Sequence, residues 1–204
     1  VAALAEACTR AGVRVRTGTE VGDPGALPAE RVVIAAGAWS GSVGAAGGRP
    51  SMPVRPVKGQ ALRLRDRSGP GLCERVLRFE GGYLVPRGDG RYYLGATVEE
   101  RGFDTAVTAL GVYELLREAA EVLPGVLELE IDEAFAGLRP GTPDNAPIVG
   151  TDPGDERIVW ATGHFRNGIL LCPLTAELVV DELTGGRPDH PLRPERFARA
   201  GAPA

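Results

Sequence analysis

The 204-residue chain is poor in cysteine and histidine and has no long apolar run, and each shortage argues against a class of protein. Its three cysteines are far apart without a C-x-x-C spacing, and only two histidines accompany them, so we expect no metal site. Isolated cysteines favour a reduced, cytoplasmic protein over a disulfide-bonded one. The longest apolar runs, "VVIAA" and "GILLC", are too short to cross a bilayer, and the first residues show no signal-peptide pattern.

The chain also lacks a strong excess of charge of either sign. Its net charge is −4, and its positive residues are scattered rather than clustered. This balance argues against a nucleic acid or an anionic membrane as the partner. With 43% hydrophobic and 25% charged residues, the composition is that of a globular protein with a sizeable core.

The first 37 residues have the order of elements found in doubly wound α/β folds. An amphipathic helix is predicted over 1–11, where Gly12 stops it, and an alternating strand is predicted over 13–17. The short apolar run in "RVVIAAG", residues 31–37, is typical of a parallel strand that is buried on both faces.

From about residue 52 the pattern changes and then changes back. The stretches "QALRLRD", "GYLVPRG", "RYYLGAT" and "VLELEIDEAF" predict an antiparallel sheet, interrupted by a helix near 105–123. A strand in "RIVWATG" and a helix in "GILLCPLTAELVVDELTGG" then restore the α/β pattern. We therefore expect an α/β fold with an inserted α+β part. The predicted boundaries are an α/β segment at 1–50, an antiparallel domain at 51–138, a return to α/β at 139–185 and a loosely held tail at 186–204.

A single arginine stands in the turn-rich stretch "GLRPGTPDNAPIVG", residues 137–150. Three prolines restrict the chain there, so the guanidinium of Arg139 should point in a fixed direction. A fixed fork of N–H donors suits a carboxylate receptor. An ordinary ion pair with the nearby Asp144 fits the same residues, and the sequence leaves both interpretations open.

A second candidate is the junction "GHFRNG", residues 163–168, between a predicted strand and a predicted helix. The first N–H groups of a helix stabilise a bound anion, and Arg166 and Asn167 add donors. An ordinary strand-to-helix turn with a solvated arginine remains the alternative.

Other residues have simpler interpretations. Tyr83 alone is typical of an edge strand, Lys58 is expected to be exposed or weakly directed toward the site, and "GSVGAAGG" at 41–48 is interpreted as a flexible connection. Trp39 and Trp160 are expected in the core.

Several motifs, in the order in which they follow along the chain, resemble the glycine oxidase (thiazole-pathway) branch of the D-amino-acid oxidase family of flavoproteins. They are "VVIAAGAWSG" at 32–41, "PVKGQ" at 56–60, "GYLVPR" at 82–87, "YYLGAT" at 92–97, "FAGLRPGTPDNAPIVG" at 135–150 and "ATGHFRNGILLCP" at 161–173. The resemblance covers almost the whole chain. It implies an FAD-binding domain with an inserted substrate-binding domain, and a small amino acid or amine such as glycine or sarcosine as substrate. It further implies hydride transfer to the flavin, hydrolysis of the imine to glyoxylate, reduction of O₂ to H₂O₂ and a role in thiamine thiazole synthesis.

The same resemblance assigns roles to individual residues. Arg139 looks like the arginine that grips the substrate carboxylate, Tyr83 like the tyrosine whose hydroxyl assists it, and Arg166 like a second arginine in the substrate pocket. Val21 looks like a backbone contact to the adenine and Gly37 like a close approach to the cofactor. The residues that would face the flavin are His164, Phe165, Arg166, Asn167, Gly168, Ile169 and Leu170.

One departure from the family pattern affects what the chain is expected to do. The opening strand with its G-x-G-x-x-G phosphate loop is absent, so the chain is expected to be a carboxyl-terminal fragment that does not retain FAD alone. A related D-amino-acid or sarcosine oxidase or dehydrogenase is an alternative, as is a cofactor-free, non-catalytic remnant. Relatives of this kind assemble, so a homo-oligomer is also expected.

Overall fold

The computed structural model describes residues 1–43, 52–67, 69 and 71–198. In this part of the chain the helices and strands are α1 (Ala2–Arg10), β1 (Val32–Ile34), β2 (Arg55–Arg65), β3 (Leu77–Phe79), β4 (Gly82–Pro86), β5 (Arg91–Gly95), α2 (Ala109–Val122), β6 (Glu130–Gly141), β7 (Ile148–Asp152), β8 (Asp155–Thr162), α3 (Gly168–Leu183) and α4 (Glu195–Ala198). The predicted helices are thus present with slightly shorter bounds. Of the predicted connection at 41–48, residues 44–48 lie outside the described residues.

The larger sheet is antiparallel, as predicted, with the strand order β3-β4-β5-β2-β6. The alternation of apolar residues in β2 and β5 turns Leu62, Leu64 and Leu94 toward α2, where Leu115 packs against them. The strand predicted in "VLELEIDEAF" is wrong for its first residues, because a 3-10 helix runs from Pro124 to Glu128. Strand β6 begins only after it.

The smaller sheet has the order β1-β8-β7, in which β1 runs parallel to β8 and β7 runs antiparallel to it. Its apolar face forms a second core in which Ile34, Ile148, Ile158 and Trp160 are buried. The expectation of a core position is confirmed for Trp160. It is wrong for Trp39, which is 57% exposed and stacks on an exposed phenylalanine ring.

The strand predicted over 13–17 does not form. These residues are exposed and irregular, and no strand of the described chain lies beside them to complete a ladder of hydrogen bonds. Helix α1 likewise buries none of its residues, although Leu4 and Cys8 lie on its apolar side. An alternating apolar pattern becomes a strand only when a neighbouring strand satisfies its backbone.

The expectations for Lys58 and Tyr83 are both corrected by the structure. Lys58 is fully buried, not exposed, because Glu99 and Asp104 lie 3.7 and 3.4 Å from its Nζ and balance its charge. Tyr83 lies on β4, which has a neighbouring strand on each side, so it is not an edge-strand residue. Both residues therefore occupy the interior of the larger sheet.

The segment at 186–204 is held more firmly than expected as far as residue 198. The backbone N–H of Val149 donates to Leu192, and Arg193 forms an ion pair of 2.6 Å with the buried Glu182. The ring of Phe197 packs against the core of the smaller sheet. The proline- and arginine-rich composition suggested a solvated tail, whereas specific partners on α3 and β7 hold these residues.

Across the described ranges, no three His, Cys, Asp or Glu side chains are grouped so that they could hold a metal ion. No helix found there is long and apolar enough to cross a membrane. The predicted domain boundaries at 50, 138 and 185 stay predictions.

Candidate functional site

Arg139 lies near the end of β6, in a strand and not in the stiff turn that its neighbouring prolines suggested. It is paired with Val57 of β2, and Pro140 is paired with Pro56. Pro140 is tolerated here because β6 is an edge strand, on which a missing N–H breaks no inner ladder. The direction of the arginine is therefore set by the pairing of β6 with β2.

The guanidinium of Arg139 is half-buried and binds main-chain oxygens. Its Nη1 donates to the carbonyl of Thr97 at 3.0 Å and to that of Lys58 at 3.3 Å. Its Nη2 and Nε have no partner among the described residues. Burial lowers the pKa of Arg139, and the positive charge of Arg166 lowers it further. Tyr83 and Tyr93 act in the opposite direction but less strongly, and no described carboxylate balances the charge, so the site is suited to an anion from outside the chain.

The ion pair that the sequence allowed between Arg139 and Asp144 does not form. The carboxylate of Asp144 instead binds Arg196, at 2.8 Å from Nε. The first of the two interpretations of Arg139 is thereby favoured over the second.

A cavity of about 1300 Å³ opens in front of Arg139, between the larger sheet, α2 and the turn that precedes α3. The predicted substrate residues Tyr83, Arg139 and Arg166 all line it, as do Phe165 and Asn167. The structure therefore brings together all three residues to which the sequence assigned a substrate role. That role itself stays a prediction.

Tyr83 is held by an aromatic stack. Its ring is nearly parallel to that of Tyr93, with the ring centres 6.1 Å apart, and Phe135 meets Tyr93 edge-on. Burial raises the pKa of Tyr93, and the neighbouring Tyr83 raises it further, so the hydroxyl of Tyr93 stays protonated at neutral pH. The stack fixes the ring of Tyr83 at the wall of the cavity.

The turn that joins β8 to α3 is tied directly to the strand that carries Arg139. The backbone N–H of Phe165 donates to the carbonyl of Pro140 at 3.0 Å, and Phe165 has a positive φ of 48°, which is uncommon for a residue with a side chain. The guanidinium carbons of Arg139 and Arg166 lie 5.9 and 5.5 Å from the centre of its ring. The ring of Phe165 therefore lies near both cations, and all three side chains line the cavity.

The remaining predicted flavin-facing residues lie at the start of α3, which begins at Gly168. His164 shares a hydrogen bond of 2.8 Å with Thr175, and burial lowers the pKa of its ring, which is therefore neutral at neutral pH. Ile169 and Leu170 are 87% and 77% exposed. Two adjacent apolar side chains in solvent at a helix start form a surface suited to an apolar ring.

Gly37 and Gly163 follow the two parallel strands β1 and β8 and lie at the same edge of the smaller sheet. Thr162 links the two ends, since its hydroxyl donates to the carbonyl of Gly37 at 3.2 Å. Ligands of open α/β sheets bind outside such carboxyl ends. Val21 lies in irregular, exposed chain, and the structure does not bring it next to the cavity.

Sequence reasoning missed the part played by the main chain. The carbonyls of Thr97 and Lys58 position Arg139, yet nothing in a sequence marks a carbonyl as a ligand. Only the distant pairing of strands brings them to the arginine.

The fold belongs to a known class of flavoprotein. The family model "DAO: FAD dependent oxidoreductase" matches residues 1–182, and the chain belongs to this family. The resemblance predicted from the motifs and the predicted cofactor, FAD, are thereby confirmed.

Within the family, the chain is similar to glycine oxidases. It is 38% identical to the glycine oxidase of Pseudomonas putida over 84% of this chain and 46% of that enzyme. It is 36% identical to the bifunctional protein ThiO/ThiG of Synechocystis sp., over 97% of this chain and 32% of that protein. The crystal structure of glycine oxidase from Geobacillus kaustophilus matches with a TM-score of 0.83 and 38% identity, over 94% of this chain and 55% of that one. The predicted fold class is confirmed by this match, and the chain spans less than half the length of the two curated relatives.

Proposed function

We propose that this chain carries the substrate-carboxylate receptor and one wall of the FAD site of an oxidase that acts on glycine and other small amines. The observation that carries the proposal is Arg139, a half-buried cation that binds two main-chain carbonyls but no described carboxylate. It faces a cavity shared with Tyr83 and Arg166. Relatives that are glycine oxidases support the same function.

The residues divide the work of binding the substrate. Nη2 and Nε of Arg139, which are free of described partners, are the pair of donors that a carboxylate accepts side by side. The hydroxyl of Tyr83 would add a third hydrogen bond. Arg166 is exposed and would contribute mainly positive charge at the mouth of the cavity. Together these groups hold the carboxylate, so the reacting carbon of the substrate is held in one orientation.

The start of α3 fits an FAD ring system. Ile169 and Leu170 offer apolar contact area, while the free N–H groups of the first helical turn stabilise negative charge. Bound FAD would supply the redox chemistry by accepting a hydride from the substrate carbon, with O₂ as the final acceptor and H₂O₂ as product. Hydrolysis of the resulting imine of glycine then gives glyoxylate.

Several finer points belong to the same proposal. A role in thiamine thiazole synthesis is supported by the similarity to ThiO/ThiG proteins. A cytoplasmic location is supported by Cys8, Cys73 and Cys172, all of which are free thiols. We also propose that the FAD site is completed by polypeptide with a G-x-G-x-x-G loop, which these 204 residues lack. The unpaired segment at 13–17 supports this, since a further strand could pair with it. A homo-oligomeric assembly stays a prediction that light scattering would test.

The purified chain, incubated with FAD and freed of unbound flavin, tests these points by its visible absorption spectrum. A colourless protein would support a site that needs further polypeptide, and a retained flavin band would contradict that point. In the FAD-loaded protein, which is prepared with the polypeptide that carries the phosphate loop, glycine, sarcosine and D-alanine are then compared with peroxide detection. Faster turnover of glycine and sarcosine is the expected result.

Equal turnover of bulky D-amino acids would favour a related D-amino-acid oxidase. Turnover of the same amines without peroxide would favour a dehydrogenase that passes electrons to a carrier. A protein that fails to bind FAD even when the phosphate loop is supplied would favour a non-catalytic remnant.

A further inference from the structure

Gly59 lies directly beneath the guanidinium of Arg139. In the β2–β6 ladder Gly59 is opposite Gly137, so Arg139 is its diagonal neighbour on the same face of the sheet. A Cβ atom added at Gly59 would lie 2.5 Å from Cζ of Arg139 and closer still to both terminal nitrogens. The guanidinium therefore occupies the space that any side chain at position 59 would need.

The conformation of the backbone does not require this glycine. Position 59 is within a regular strand and its φ is not in the left-handed region, so an alanine could adopt the same backbone. A glycine inside a strand weakens it, because the residue loses more entropy on folding and has no side chain to pack. Its presence at a buried position is explained by the close approach of another group.

The close approach has a geometric consequence for the donors of Arg139. Nη1 reaches the carbonyl of Lys58, which precedes Gly59, and that of Thr97. The bond to the carbonyl of Lys58 holds the guanidinium against the main chain of β2. Nη2 also lies over Gly59, and its N–H groups and that of Nε have no partner among the described residues, so they remain free for a ligand in the cavity that Arg139 lines.

We propose that Gly59 is a positioning residue for Arg139, whose missing side chain lets the guanidinium rest on β2 and direct its free donors at a substrate carboxylate. This inference rests on the proposed function, in which Arg139 is the carboxylate receptor. The three atoms nearest to an alanine Cβ at position 59 all belong to the flexible end of Arg139, which can move away. The fold should therefore survive the substitution while carboxylate binding is lost.

The test compares Gly59→Ala with Gly137→Ala, its cross-strand partner, in the 204-residue chain. A Cβ at Gly137 would meet nothing within 4 Å, so this variant carries the same chemical change without displacing Arg139. The probe is glycolate, which has the carboxylate of glycine but no amine. Gly59→Ala should weaken glycolate binding by about tenfold or more, as loss of a charge-assisted contact does, and Gly137→Ala by less than about twofold. Both should keep Tm within about 4 °C of the parent chain.

A second readout reports the position of the guanidinium without a ligand. The Nε–Hε resonance of Arg139, assigned by its loss in Arg139→Ala, should shift in Gly59→Ala and stay in place in Gly137→Ala. A purely structural role for Gly59 would lower Tm without this selective shift. In the Arg139→Ala background, adding Gly59→Ala should change neither glycolate binding nor Tm further, because no guanidinium remains to be displaced.

The outcomes separate this inference from the proposed function. If the parent chain binds no glycolate, or if Arg139→Ala binds it normally, both are overturned. If Arg139→Ala loses glycolate while Gly59→Ala binds it as tightly as the parent chain, only the role of Gly59 is overturned. If Gly59→Ala does not fold, the double variant decides: a folded Gly59→Ala/Arg139→Ala protein supports the inference, and an unfolded one overturns it.

Discussion

Arg196 holds the carboxylate of Asp144, with 2.8 Å between its Nε and Oδ2 and 3.4 Å between its Nη2 and Oδ1. The same guanidinium donates to the carbonyls of Ala146 and Pro147 at 2.9 Å. This ion pair also affects Arg139, because Asp144 is the carboxylate with which the sequence allowed Arg139 to pair. With Asp144 bound elsewhere, Arg139 remains available to a ligand.

Arg139→Ala in the FAD-loaded protein should raise the KM for glycine strongly, by a factor that corresponds to roughly 2–4 kcal/mol for loss of a buried charged contact. The KM of Arg139→Lys should lie between those of the parent protein and Arg139→Ala, since an ammonium keeps the charge but does not offer two parallel donors. Steady-state kinetics with peroxide detection measures both. Arg67→Ala is the control: this exposed arginine pairs with Glu130 outside the cavity, and its loss should leave KM unchanged. An unchanged KM in Arg139→Ala would refute the carboxylate role.

Asp144 predicts how stability depends on pH. The hydrogen bond from Arg196 lowers the pKa of Asp144 below its ordinary value of 3.8, against a smaller opposite effect of burial. Since the folded-state pKa is the lower one, the pair stabilises the fold above pH 3.8, and this stabilisation is lost as the pH falls through the folded-state value. Urea unfolding of the parent chain and of Asp144→Asn, from about pH 5 to about pH 2.5, should show a stability difference that shrinks with falling pH. A difference that is constant with pH would contradict the assignment.

Lys58→Met should destabilise the protein by about 2–4 kcal/mol, because it removes the buried positive charge beside Glu99. This loss of stability should be smaller than that for a fully enclosed ion pair, because Asp104 is half-exposed and water reaches it. Arg10→Met removes a solvent-exposed ion pair with Glu6 on α1 and should cost less than about 0.5 kcal/mol. Urea unfolding gives both values, and equal losses in the two variants would show that the burial of Lys58 is energetically unimportant.

Thr108 caps α2, and removing its side chain should lower the stability of the fold. Its Oγ1 accepts from the N–H of Gly111 at 3.1 Å and from the side chain of the buried Gln60 at 3.1 Å. Thr108→Ala should lower the free energy of unfolding by about 1–2 kcal/mol. Thr108→Ser, which keeps the hydroxyl, should recover most of it. If serine and alanine behave alike, the cap contributes nothing.

The parts of the site that could be predicted were those with a local signal. "GHFRNG" between an apolar strand and an apolar helix placed the turn correctly, and α3 begins at Gly168 as the pattern indicates. The strand predicted at 13–17 had the same kind of signal but no neighbour to pair with. Lys58 shows the opposite error, since a lysine in a strand carries no local mark that two distant carboxylates will bury it.

The amino-acid sequence by itself determined the two sheets, the helices that pack on them and the set of residue types at the site. Hydrophobic periodicity, glycine and proline affect the chain over a few residues, so they predict local elements of structure. The tertiary structure decided which groups meet. Pairing β2 with β6 put Arg139 over Gly59, and docking the segment around Arg196 on the smaller sheet removed Asp144 from its reach. Both results depend on contacts between residues 50 or more positions apart, and the energy of such contacts is set by the whole fold.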